Sequence, residues 1–148
     1  LRLEPVPEGE AVGYGGTWRA PRASVIATLP LGYGDGWSRA SGGITDAIVR
    51  GRRVPLVGTV AMDAVAADVT TVPGVTHEDE FVLLGAQGDE RITASELART
   101  RTTISWEILA GMAGRLPRVY HAPAGLLGLR TLTGEALSGR APGGEERE

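Results

Sequence analysis

Cysteine is absent from this chain, and so is lysine: all fifteen basic residues are arginines. Without cysteine there is no disulfide, no thiolate nucleophile and no cysteine-bound zinc. Without lysine there is no Schiff-base nucleophile, no phosphate-loop lysine and no Ser-Lys dyad. Histidine is nearly as scarce, and His77 and His121 stand too far apart in sequence to form a metal-binding pair. No apolar run approaches the roughly 20 residues that span a bilayer, so no membrane partner is expected. The net charge of −3 argues against nucleic acid as a partner, because neutralising phosphates needs a clustered basic surface. The N-terminal residues carry no secretory pattern, and the expected compartment is the cytoplasm. There is no G-x-S-x-G elbow, no Walker loop and no G-x-G-x-x-G in a strand-to-helix context.

What remains is a chain of 148 residues, 42% hydrophobic and 22% charged, which is enough for one globular domain. Twenty-two glycines and nine prolines cut it into short pieces, several rich in valine and isoleucine with turn signals between them. Strands are expected near Glu10–Tyr14, Ser24–Leu29, Ala47–Arg50, Val54–Val57, Val60–Val69, Glu80–Leu84, Arg115–Tyr120 and Leu126–Leu132. Ile48-Val-Arg-Gly-Arg-Arg-Val54 reads as a hairpin turning at Gly51, its arginines in solvent. Thr93-Ala-Ser-Glu96 is a capping box opening a helix over Thr93–Arg99, and Trp106-Glu-Ile-Leu-Ala110 allows a second short helix. The fold class is therefore mainly β, an antiparallel β-barrel-like domain with two short helices. The domain is expected to run over 1–133; Gly134–Glu148, with almost nothing apolar, reads as a disordered tail.

Four segments are candidates for chemistry. His77-Glu-Asp-Glu80 is the one dense acidic cluster and reads as a solvated approach to the apolar Phe81-Val-Leu-Leu84 rather than a metal site. Gly13-Tyr14-Gly15-Gly16 and Gly32-Tyr33-Gly34-Asp35-Gly36 each place a phenol where the neighbouring backbone has no side chains. Such a phenol either packs beside a bulge or turn, or serves as an acid or base with cationic neighbours. In Val57-Gly-Thr-Val-Ala-Met62-Asp63 the methionine reads as core filler, although the small residues around it leave its backbone N–H reachable by a carboxylate.

Taken in order, these segments resemble the C-terminal domain of bacterial alanine racemases, pyridoxal-phosphate enzymes that interconvert L- and D-alanine. The resemblance runs from about Glu10 to Tyr120 through Val12-Gly-Tyr-Gly-Gly-Thr-Trp18, Leu29-Pro-Leu-Gly-Tyr-Gly-Asp-Gly-Trp37, Arg53-Val-Pro-Leu-Val-Gly-Thr-Val-Ala-Met-Asp63, Val82-Leu-Leu-Gly85, Thr103-Ile-Ser-Trp-Glu107 and Arg115-Leu-Pro-Arg-Val-Tyr120. It implies a partner, an N-terminal β/α barrel that holds the pyridoxal phosphate on its lysine, and a head-to-tail homodimer in which each site is shared between subunits. A chain that opens on Leu1 and has no lysine then reads as the second domain only, inactive by itself, with no cofactor-binding residue assigned to it.

By the same resemblance, Tyr14 is the acid/base on the face of Cα opposite the lysine, as racemisation needs a proton carrier on each face. Met62 presents its N–H to the substrate carboxylate, while Tyr33 and Arg39 line a narrow entrance that favours a small amino acid. Two positions depart from the family pattern: Gly114 stands where an aromatic residue often precedes Arg-x-Pro-Arg, and Thr59 where an arginine is frequent. They leave room for another small substrate such as serine. A different class of reading makes the chain a non-catalytic β-barrel interaction module derived from the same domain.

Overall fold

The computed structural model describes residues 2–123, 125–131 and 133–137. The chain divides after Met112 into two compact units, Leu1–Met112 and Ala113–Glu148, where the sequence reading expects a single domain to residue 133.

The first unit is built on a six-stranded sheet in which every pairing is antiparallel. Its strands are β1 (Arg2–Val6), β4 (Ser24–Leu29), β5 (Asp46–Val49), β6 (Arg52–Val57), β7 (Val65–Asp68) and β8 (Phe81–Val82). Their spatial order is β1-β4-β7-β6-β5-β8, so the sheet is open, with edges at β1 and β8, and forms a half-barrel. Two-stranded ribbons join β2 (Ala11–Val12) to β3 (Trp18–Arg19) and β9 (Gly85–Gln87) to β10 (Glu90–Ile92). The two short helices are α1 (Ala94–Thr100) and α2 (Ser105–Ala110), packed on each other. Neither is long and apolar enough to cross a membrane.

Apolar side chains hold this unit together. Ala47, Ile48 and Val49 on β5 and Val54 on β6 are fully buried, as are Val60 and Ala67, and they pack with Leu29, Trp37, Leu56, Ile92, Leu97 and Ile108 into one core. The expected hairpin is there: Val49 pairs with Arg52 across a two-residue turn in which both Arg50 (φ 51°) and Gly51 (φ 68°) are left-handed, the backbone that matches strand twist. Its arginines are not simply in solvent, however. Arg53 reaches Glu90 on β10 at 3.0 Å and Glu96 on α1 with two guanidinium nitrogens, tying three elements together. The capping box is correspondingly half-made. Thr93 Oγ1 accepts the Glu96 N–H at 3.1 Å, but the Glu96 carboxylate turns to Arg53, where a charge-assisted bidentate pair outcompetes a neutral backbone donor.

The expected strand over Val60–Val69 begins only at Val65, because the chain leaves the sheet at Gly58 (φ 69°). Residues 2–6, outside the expected strands, form edge strand β1 against β4.

The second unit contains β11 (Arg118–Ala122), β12 (Gly125–Thr131) and β13 (Gly134–Leu137) in an antiparallel meander. Gly134–Leu137, read from sequence as the start of a tail, is thus a paired strand, since backbone pairing to β12 does not need apolar side chains. The rest of the expected tail, 138–148, lies outside the described residues.

Candidate functional site

The segment Gly58–Met62, having left the sheet, becomes the spine on which all four sequence-nominated residues converge. At its start, Gly13 and Gly58 meet without side chains. A Cβ on Gly58 would lie 2.7 Å from the Val12 carbonyl oxygen, and one on Gly13 would lie 3.3 Å from the Thr59 nitrogen. Thr17 and Thr59 share a hydroxyl hydrogen bond of 3.0 Å. Between these two contacts the chain makes a tight turn, Tyr14–Gly16, from which the Tyr14 phenol projects with 70% of its surface exposed.

Arg39 docks on the middle of the spine, its Nη1 donating to the Val60 carbonyl at 2.9 Å. At the far end, the turn Tyr33–Asp35 donates twice in succession: Tyr33 N–H to the Ala61 carbonyl at 3.0 Å and Gly34 N–H to the Met62 carbonyl at 2.8 Å. Gly32 permits this approach, because a Cβ there would sit 2.3 Å from the Ala61 oxygen. Ala61 N–H donates to Ala64 at 2.8 Å, which places Met62 and Asp63 at the tip of a tight reversal. The Met62 carbonyl is therefore engaged, whereas its N–H has no acceptor among the described residues. The Met62 side chain is more than half exposed, so Met62 is not core filler.

Beside Tyr14 lies a cavity of about 360 Å³ lined by Val12, Gly13, Thr28, Thr59, Ala61, Asp63, Ala64, Val65 and Ala66. Its walls are small side chains and hydroxyls, with one carboxylate at the rim. A second pocket of about 340 Å³, between Trp18, Arg22, Leu56, Asp68 and Thr71, contains none of the nominated residues.

The acidic cluster serves structure. Asp79 accepts Arg50 Nε at 2.8 Å and the Thr76 N–H at 2.7 Å, bonds that hold its carboxyl below the usual range and raise that of Arg50. Among the described residues no group of three or more potential metal ligands comes together. At the other clamp, Arg53 hydrogen bonds lower the Glu96 carboxyl, while Glu96 and then Glu90 raise the Arg53 guanidinium. Sequence reasoning passed over three residues that build the site: Thr17, Gly58 and Asp35. The motif Gly-x-x-Asp at 32–35 was the available signal, for it is the spacing at which a side chain can bond back to the first N–H of a turn.

Known proteins with this pattern answer the question of kinship. The alanine racemase C-terminal domain profile matches residues 1–120. The chain belongs to that family. It is 46% identical over 127 residues to alanine racemase from Sorangium cellulosum, an alignment covering 83% of this chain and 34% of that protein. The crystal structure of alanine racemase from Bacillus anthracis with bound L-Ala-P superposes with a TM-score of 0.83 at 33% identity, over 89% of this chain and 33% of that one. Alanine racemase from Bartonella henselae, solved with covalently bound pyridoxal phosphate, gives a TM-score of 0.68 at 26% identity over 76% of this chain and 31% of its own. This chain thus spans about a third of the length of its relatives.

Proposed function

We propose that this chain is the β-rich domain of a pyridoxal-phosphate-dependent alanine racemase, forming one wall of an active site that an N-terminal β/α barrel completes across a head-to-tail homodimer. The observation that carries the reading is the spine Gly58–Met62, whose backbone meets Gly13 beside Tyr14, the Tyr33 N–H and the Arg39 guanidinium, and whose Met62 N–H has no acceptor among the described residues. The chain's residues suit the substrate side of such a site. They do not suit the cofactor anchor, because a chain with no lysine cannot form the covalent link seen in the Bartonella enzyme. Pyridoxal phosphate, when bound elsewhere in the assembly, supplies the electron sink that makes an amino-acid Cα proton removable.

The geometry supports the following contributions from this domain. The Tyr14 phenol, on a turn with no neighbouring side chains, gives or takes the proton on one face of Cα. The Met62 N–H donates to the substrate carboxylate, a charge-assisted bond in which a fixed peptide needs no reorganisation. Tyr33 and Arg39 stand at the entrance and restrict it to a small amino acid.

Grafting the chain in place of the matching domain of the Sorangium enzyme tests this. D-Alanine formation from L-alanine, read with a D-amino-acid oxidase, is expected from the graft and not from the 148-residue chain with added cofactor. Tyr14→Phe in the graft should lower kcat at least about a hundredfold, the usual weight of a positioned acid/base. A graft that turns over equally well with phenylalanine at position 14 removes the acid/base role from Tyr14, and a graft that forms no D-alanine favours the interaction-module reading.

A further inference from the structure

We infer that Asp35 is a positioning residue of this site, one whose buried carboxylate fixes the direction of the Met62 N–H without touching the substrate. The inference rests on the reading of Met62 as a carboxylate-binding amide, and it begins from a carboxylate that is only 7% exposed. A carboxylate out of water persists only where hydrogen bonds replace its hydration. Asp35 Oδ2 accepts the Gly32 N–H at 2.9 Å, and the Asp35 N–H donates back to the Gly32 carbonyl at 3.0 Å. This reciprocal pair pins the turn 32–35.

The same turn grips the spine. The Ala61 carbonyl and the Met62 N–H belong to one peptide plane and, in a trans peptide, point in opposite directions. Tyr33 N–H bonds that carbonyl, and Gly34 N–H bonds the next one along. Holding the Ala61 oxygen toward Tyr33 therefore turns the Met62 N–H away from it, into the open. The chain of command runs from the Asp35 carboxylate to Gly32, from there to the Tyr33 and Gly34 donors, and from those to the Ala61–Met62 peptide.

Amide hydrogen exchange on the 148-residue chain, followed by NMR, reads this directly. In Asp35→Ala the Tyr33 and Gly34 amides should exchange roughly ten- to a hundredfold faster, as a lost buried charge-assisted bond implies, while amides of β5 and β6 keep their protection. Asp35→Asn should accelerate the same amides severalfold, because a neutral oxygen accepts more weakly, and it carries the comparison if the alanine variant does not fold. Wild-type exchange at Tyr33 and Gly34 in Asp35→Asn or in a folded Asp35→Ala overturns the inference, whatever Met62 binds. In the Sorangium graft the variants should raise the KM for alanine about tenfold with kcat nearly held, the sign of weakened uniform binding. Faster exchange with an unchanged KM leaves Asp35 in its role and removes the carboxylate reading of Met62.

Discussion

The β5–β6 hairpin and the Gly58–Met62 spine are contiguous in sequence and are held by opposite means. In the hairpin, fully buried valine, isoleucine and leucine side chains do the holding and the backbone follows the sheet. Along the spine the backbone does the holding, through carbonyls that accept from Arg39, Tyr33 and Gly34 and through glycines that let chains touch. The contrast shows how a site frees its side chains. Where peptide groups make the contacts, Tyr14, Tyr33 and Met62 can stay exposed and still be placed.

The largest expected effect that would break this contrast lies in the core. Ile48→Ala, at a side chain with no exposed surface, should cost about 3 kcal/mol from lost transfer energy and the cavity left behind. Urea unfolding should show it, with the Met62 and Tyr33 amide shifts of the folded protein unmoved. Gly58→Ala is the converse. Its left-handed φ of 69° and the Val12 oxygen 2.7 Å from the new Cβ should cost about 2 kcal/mol, while moving the Tyr14 and Thr59 amide shifts and leaving those of β5 in place. If both variants perturb the same set of amides, the two regions are one cooperative unit and the distinction fails.

The smallest effect belongs to the ion pairs that join the hairpin to α1. The folded Glu96 carboxyl is lowered from its ordinary 4.5 by Arg53, so its stabilisation is complete above that value and disappears as pH falls through the depressed folded value. Partial exposure limits the contribution to about 1 kcal/mol. In wild type, stability should therefore decline below about pH 4.5. Glu96→Gln should flatten this part of the decline when urea midpoints are compared at pH 3 and pH 7; an unaltered slope would mean that Arg53 draws its stabilisation from Glu90 on β10 instead.

Much of this molecule is legible locally. Strand Ser24–Leu29 is found at the expected residues because its burial and β-branched content agree, and the Arg50-Gly51 turn and the Thr93 cap announce themselves by residue type. The strand expected near Glu10–Tyr14 shrinks to Ala11–Val12, while β3, β9 and β10 have no counterpart among the expected strands, as a strand of two or three residues carries no period to read. Gly58 explains the overextended Val60–Val69: the residues after it are strand-forming, but a positive φ ends the strand before their propensity can act. The nominated residues come from a family resemblance as well as from chemistry, and residue chemistry without the resemblance leaves Met62 in the core.

The amino-acid sequence by itself determined the hairpin, the helix start, the absence of any lysine or thiol chemistry, and the glycine-flanked tyrosines. All of these depend on properties within a few residues of each other. Only the tertiary structure decided that loops about 20 to 45 residues removed meet on one five-residue segment and that the Met62 N–H has no acceptor among the described residues. Those outcomes depend on which backbones can approach once the core has formed, and close approach is governed by missing Cβ atoms on both sides, a property of pairs that no local propensity encodes.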